Sequence, residues 1–436
     1  MTESRLDRRS GATAYRQQQY CGRIPPHPPA PSPEPRERGS YRTASPLSHG
    51  VGEGPGVRGK AGHRIRPQYQ QTIDIDAVVE DTLRLACIPA PTFSEQARGV
   101  AVAAALADTG VRSEFDGAGN VLGRISGQSS TRTVAVIAHL DTVFPLDTPL
   151  DIARTGNRLT GPGVGDNALA LAAMLWLARS LKLHPPAGDV LLAATVCEEG
   201  LGDLRGARAL AANHPEISAG IVLEGHFLGR IIHAGVGSRR FEITFAGPGG
   251  HSWENFGAPN AVHAMLRVGS TLVSLPLPSS PRTTLTVGVA EGGRSVNSIG
   301  DRSRMLVDTR SLSEDRLGVL ENDIRTIIDD LGKESGIDIA IERIGRRSAV
   351  ELPPDHPLVE HASAALRSID IEPQLGAAST DMNALQAAAI PSICIGISTG
   401  DHMHRLDEWV AVEPIQSGLE QLAILVEALG RMEVGS

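Results

Sequence analysis

Two glutamates stand side by side at Glu198 and Glu199, directly after the largely apolar run 191–197 and before Gly200. Adjacent like charges repel, so a buried strand end is a costly place for both unless a cation is bound there. The chain carries the side chains that such a cation would use. His139 and Asp141 close the apolar run 134–138, and Asp166 lies in the glycine-rich stretch 161–167. Glu224 follows the apolar run 221–223, and His402 and His404 lie near the C-terminus.

The chemistry this set fits is hydrolysis of an amide bond. Water must become nucleophilic near neutral pH, the carbonyl must be polarised, and the leaving nitrogen needs a proton. Two divalent cations a few ångströms apart meet the first two needs. Carboxylate and imidazole ligands suit zinc, with cobalt or manganese as alternatives, and no thiolate is required. A carboxylate that is not a ligand must move the proton. Neighbours at a strand end point in different directions, so Glu199 is assigned to the metal and Glu198 to proton transfer. His139 and Asp141, two residues apart, share one face of a strand, which lets Asp141 orient the imidazole. Asp166 also reads as a plain helix cap. A phosphate-binding reading of its glycine loop fails for want of a Gly-Lys-Ser/Thr sequence.

These residues need elements to position them. Helical spacing at 75–85, a helix from a cap at Ser94 to about Asp108, a buried strand at 134–138, a helix at 167–181, a strand at 190–196, a helix at 204–212 and a strand at 220–223 alternate along the chain. That rhythm implies an α/β fold with a mainly parallel mixed sheet and helices on both faces. Near Gly235 the pattern changes. A period-two strand at 240–245, a helix at 258–273, strands at 284–289 and 304–308, a helix at 314–331 and a strand at 337–341 follow the β-α-β-β-α-β order of a ferredoxin-like unit. From about Asp355 the first rhythm returns, with Ser379-Thr380-Asp381 read as a turn. The expected organisation is a tail (1–70), a catalytic domain in two parts (71–234 and 349–436), and an inserted α+β lid or dimerisation domain (235–348).

Composition narrows the partners. The 436 residues carry a net charge of −9, with only 3% aromatics. Residues 1–70 hold 12 Lys/Arg against 5 Asp/Glu and ten prolines, so this stretch reads as disordered and the body as acidic. An acidic body poor in aromatics excludes a nucleic-acid partner. No apolar run is long enough for a membrane partner, and no secretory signal is evident, so a cytoplasmic location is expected. Cys21, Cys87, Cys197 and Cys394 form no Cys-x-x-Cys pair, and the last three lie in apolar runs. Free thiols and no disulfide framework are expected.

Taken together, His139-Leu140-Asp141-Thr142, Gly165-Asp166-Asn167, Glu198-Glu199-Gly200, Leu223-Glu224-Gly225 and His404-x-x-x-Glu408 resemble a two-zinc family. It is the family of carboxypeptidase G-type glutamate carboxypeptidases, acetylornithine deacetylases, succinyl-diaminopimelate desuccinylases, peptidase T and aminoacylases. The resemblance spans about 73–431 and implies a co-catalytic zinc exopeptidase fold. It implies that His139 and Glu224 hold one zinc, Glu199 and His404 the other, and that Asp166 bridges them. Glu198 would then be the general acid/base and Asp141 the residue that orients His139. The spacing to Glu408 selects His404 over His402. Gly249-Gly250-His251-Ser252 resembles the segment whose histidine stabilises the oxyanion, often across a dimer interface. Asn297 and Arg310 fall at substrate-carboxylate positions. The implied substrate is a small peptide or an N-acyl amino acid, and a homodimer through the lid is implied. A silent peptide-binding scaffold would lack a ligand or the base, and none is missing. One departure, Asn167-Ala168-Leu169-Ala170 after the bridging aspartate, bears on substrate choice.

Overall fold

The computed structural model describes residues 18–19, 73–129 and 132–431. The expectation of disorder over 1–70 therefore lies outside the described residues, apart from Gln18–Gln19, which pair antiparallel with Ala153 and Arg154.

A nine-stranded mixed sheet forms the body. Four of its strands, Ser392–Gly396, Ile217–Glu224, Thr133–His139 and Asp189–Thr195, run side by side in parallel. Strands at 133–139 and 217–224 are almost wholly buried, as expected for strands covered on both faces. Parallel pairing brings their C-terminal ends to one edge. His139, the turn after Thr195, and Glu224 meet there, at the carboxyl edge where open α/β sheets build their sites. Antiparallel strands extend both sides, with Val121–Ile125 and Ser113–Phe115 on one and Arg230–Gly235 on the other.

Helices cover both faces. Asp74 caps Ile75–Ala86 by accepting the Ala77 N–H at 3.1 Å. The next helix, Gln96–Asp108, has no side-chain cap at its start, so Ser94 does not serve as expected. The adjacent Glu95 is buried and turns its carboxylate inward. The third helix begins at Ala170 rather than Asn167, because residues 164–169 form an irregular turn in which Asp166 and Asn167 leave helical geometry.

A second, antiparallel sheet has the strand order Thr283–Gly292, Arg302–Ser311, Gly237–Ala246, Asp338–Arg347. Helices Ala261–Val273 and Glu314–Ser335 pack together against it over a separate core that includes Phe241, Phe245, Val268 and Ile324. This is the expected ferredoxin-like order, inserted between Gly235 and Val350, which pair where the chain rejoins the body.

A small sheet settles one further position. Arg158–Thr160 pairs with Trp409–Ala411. This brings the Gly161 loop beside the segment that carries His404 and Glu408. Among the described residues, no helix is long and apolar enough to cross a membrane. Cys197 and Cys394 are buried free thiols as expected. Cys87 corrects that expectation, being disulfide-bonded. It follows the first helix, half-buried against the edge of the core.

Candidate metal centre

Asp166 is the hub. Its Oδ1 lies 3.0 Å from His139 Nε2 and its Oδ2 3.0 Å from His404 Nε2. His404 Nε2 is also 3.2 Å from Glu199 Oε1, and Glu224 Oε2 stands 4.0 Å from His139 Nε2. Ligand atoms of His139, Asp166 and Glu199 all lie within 4.8 Å of one another. His402, half-buried, faces Asp407 instead, at 3.0 Å.

The His139 ring is held in one orientation. Its Nδ1 donates to the Asp141 backbone carbonyl at 3.0 Å, which turns Nε2 toward Asp166 and Glu224. The Asp141 carboxylate lies 3.6 Å from Nδ1, beyond good hydrogen-bond range. Its oxygens accept the backbone N–H groups of Glu198 and Glu199, each at 2.9 Å, and the Thr92 hydroxyl at 2.9 Å. Asp141 thus fixes the turn that splays the two glutamates apart. Glu199 points to His404, and Glu198 points to Arg347, whose Nη1 donates to Oε1 at 3.1 Å.

The Asp166 loop is tied down from two sides. Asn167 Nδ2 donates to the Leu223 carbonyl at 3.0 Å, beside Glu224. Glu408, fully buried, accepts N–H groups from Gly163 at 2.8 Å, Gly165 at 2.9 Å and Asp166 at 2.8 Å. Gly165 has no room for a side chain, since a Cβ there would lie 2.2 Å from His226 Nε2.

The electrostatics of the cluster are those of acids crowded out of water. Asp141, Asp166, Glu198, Glu199 and Glu224 are all buried. Burial pushes Glu224 well above the ordinary carboxyl range and Glu198 up to about 7, with Arg347 opposing the second shift. Burial also raises Glu199, with Asp166 adding to it. Asp166 goes the other way: burial alone would raise it, but hydrogen bonds from His139 and His404 hold it far below. His404 is raised to about 10 by its bonds to Asp166 and Glu199. Several kcal/mol is the rough penalty for each buried ion left without a partner. Glu224 Oε2 has no hydrogen-bond partner, although it is buried and directed at the cluster. A polar atom orphaned inside a nest of acids fits a divalent cation.

The remaining expected residues lie on the lid. His251 is exposed, and its Nδ1 accepts the Trp253 and Glu254 N–H groups at 3.3 and 3.4 Å, which places the neutral ring's proton on Nε2. Asn297 lies beside it, its carbonyl accepting the Ser252 N–H at 3.0 Å. Arg310 sits toward the opposite end of the strand Arg302–Ser311, bonded to Asp308 at 2.7 Å. Sequence reasoning missed several groups that touch the centre. Arg347 and Glu95 carried no motif, Asp381 was read as a turn, and Glu408 served only as spacing. Asp381 is buried near Glu198, accepts the Thr195 hydroxyl at 2.5 Å, and is pushed up to about 7 by burial.

The profile of peptidase family M20/M25/M40 matches residues 135–428, which include every residue of the metal cluster. The chain belongs to that family. The family resemblance read from the motifs, to desuccinylases and peptidase T among others, is thereby borne out, and the chain is placed among hydrolases of amide bonds. Similar proteins include the succinyl-diaminopimelate desuccinylase of Corynebacterium glutamicum, 27% identical over 349 residues, covering 77% of this chain and 92% of that one. Among solved structures, the aminopeptidase PepT of Bacillus cereus superposes with a TM-score of 0.68 at 21% identity, covering 83% of this chain and all of that one. A tripeptidase of Staphylococcus aureus gives 0.71 at 17% identity, with 83% and 100% covered. These two likenesses establish the shared fold.

Proposed function

We propose that this chain hydrolyses the amide bond of a small peptide at a centre that takes two divalent metal ions, zinc in the first instance and cobalt or manganese as alternatives. The observation that carries the reading is the Asp166 carboxylate, with one oxygen on His139 and the other on His404. That is the disposition of a bridging ligand. His139 and Glu224 would complete one ion's set, and Glu199 and His404 the other's. When bound, the ions supply activated water and polarise the substrate carbonyl.

The protein's own groups do the rest. Glu198 is assigned as general base and acid. It is buried beside the cluster without being placed toward either imidazole, and burial holds its carboxyl near 7, where it both takes and gives a proton. Asp141 keeps the Glu198–Glu199 turn in register with His139. Arg310 offers a planar fork to a substrate carboxylate. His251, with its proton on Nε2, is suited to donate to an oxyanion. It lies on a separate two-stranded ribbon, paired with Ser298, beyond the end of the strand Arg302–Ser311 that is far from Arg310. That separation supports the reading in which His251 and Asn297 serve the cleft of a second copy in a lid-mediated dimer. We place the domain boundaries at 71–234, 235–348 and 349–436, and take the location to be cytoplasmic.

A second reading, removal of an N-acyl group from an amino acid, is favoured by the desuccinylase relative. One experiment addresses both. The purified chain is stripped with chelator, reloaded with zinc, cobalt or manganese, and assayed on dipeptides, tripeptides, and N-acetyl and N-succinyl amino acids. Turnover should vanish on stripping and return on reloading. Peptide turnover supports the first reading and acyl-amino-acid turnover the second. No turnover on any member with any metal would sink both.

A further inference from the structure

Phe93 has a backbone conformation that does not suit it. Its φ is 75°, in the left-handed region, where a bulky non-glycine residue is an outlier. The strain is held by bonds that lead straight to the metal centre. The Phe93 N–H donates to Glu95 Oε1 at 2.9 Å, and the same buried oxygen accepts the Cys197 N–H at 3.0 Å, one residue before Glu198. On the other side, Thr92 donates its hydroxyl to Asp141 at 2.9 Å, and Pro91 bridges to Thr142. The segment is thus bound to both strand ends that carry the catalytic acids.

The ring held this way is not used for packing. Phe93 is 58% exposed and belongs to none of the hydrophobic cores. The Arg205 guanidinium stands 5.7 Å from the ring centroid. Leu201, in the turn Gly200–Gly202 that follows Glu199, is 50% exposed. A lone exposed aromatic needs no explanation. An aromatic held outward by a strained backbone, on a segment bonded to Asp141 and to the turn before Glu198, has the marks of a functional position.

We propose that Phe93 is a specificity-determining residue, its ring forming with Leu201 an apolar wall for a nonpolar side chain next to the scissile amide. The proposal rests on the hydrolase reading above and narrows its substrate class to peptides or acyl amino acids with a large aliphatic or aromatic side chain. A glycine at that position would leave the wall uncovered.

The test uses the metal-loaded full chain and matched substrates differing only in one residue, glycine, leucine or phenylalanine, placed on either side of the cleaved bond. The unaltered protein should favour leucine or phenylalanine over glycine on one side by about 10- to 200-fold in kcat/KM. Phe93→Asn, which tolerates the left-handed backbone, should reduce that ratio by about tenfold, mainly through KM, with metal content retained. Phe93→Tyr keeps the ring and should preserve the ratio. Equal loss on all substrates in Phe93→Asn would mean a purely structural role and would overturn the proposal. So would an unaltered protein indifferent to side-chain size, or a ratio that survives removal of the ring. Failure of the hydrolase reading would look different, because no substrate, glycine included, would then turn over.

Discussion

The carboxylate of Glu408 accepts the Asp166 backbone N–H at 2.8 Å, across 242 residues of sequence. With the N–H groups of Gly163 and Gly165 it forms a buried three-point anchor on the side of the loop opposite the Asn167–Leu223 bond. Removing it should loosen the bridge without touching a ligand. Glu408→Ala should bind metal about 10- to 100-fold more weakly, the usual effect of losing a residue that supports ligands. Metal content after dialysis against graded chelator measures this, and affinity equal to that of the unaltered protein would refute the anchor.

Glu198 and Glu199 are adjacent but face different partners, and their replacements should separate. Glu198→Ala should lower kcat by about 10²- to 10⁴-fold, the range for a lost general base, while metal content stays intact. Glu199→Ala should lose metal first and activity as a consequence. Elemental analysis alongside kcat decides, and metal loss in the Glu198 variant would show the two roles reversed.

Much of this centre was legible because its ligands stand at the ends of short apolar runs, where a strand meets solvent and a polar residue otherwise has no reason to be buried. His139, Glu199 and Glu224 were visible that way. Glu408 was not, since it follows Asp407 in a charged stretch that reads as surface, and its burial is decided by N–H groups more than 240 residues away. Arg347 was hidden for the same reason, as half of an Arg-Arg pair on a lid strand whose inner end happens to reach Glu198. Periodicity gave the ferredoxin-like order of the lid. It misplaced the third helix because Asn167 is recruited to the Leu223 carbonyl, a tertiary bond that overrides helical propensity.

The cluster's proton affinities tie metal binding to pH. Burial raises Glu199 and raises Glu224 well above the ordinary range, and bonds to Asp166 and Glu199 raise His404 to about 10. All three fold into sites that prefer the protonated form. Their stabilisation of the metal-free chain is complete below their ordinary values and is lost as pH rises through the raised ones. Asp141 and Asp166 are depressed, so their contribution is lost only as pH falls below the ordinary carboxyl range. Between about pH 6 and 9 the first group governs. The metal-free Tm should therefore fall across this window. The rise in Tm on adding zinc should be larger at pH 8 than at pH 6, because the ions displace fewer protons there. Thermal melts with and without metal at the two pH values check this, and a larger metal-induced rise at pH 6 would contradict it.

Arg347 comes from the last lid strand, is buried, and donates to the Glu198 carboxylate at 3.1 Å and also to the Glu198 backbone carbonyl. Burial lifts the Glu198 carboxyl to about 7, and Arg347 is the strongest influence holding it from going higher. Without that cation the carboxyl should rise further, so that less of it is ionised and able to accept a proton at neutral pH. Arg347→Met should move the rising limb of the kcat/KM profile to more alkaline pH, with activity at pH 7 reduced and part of it regained at pH 9. Leaving a buried carboxylate unpaired also costs about 3 to 5 kcal/mol of stability, so Arg347→Lys, which keeps the charge but not the fork, serves as the companion variant. It should sit between the two, with a limb closer to that of the unaltered protein. A limb that stays in place in both variants would mean that Arg347 does not set the proton affinity of Glu198, and its role would reduce to joining the lid to the catalytic turn.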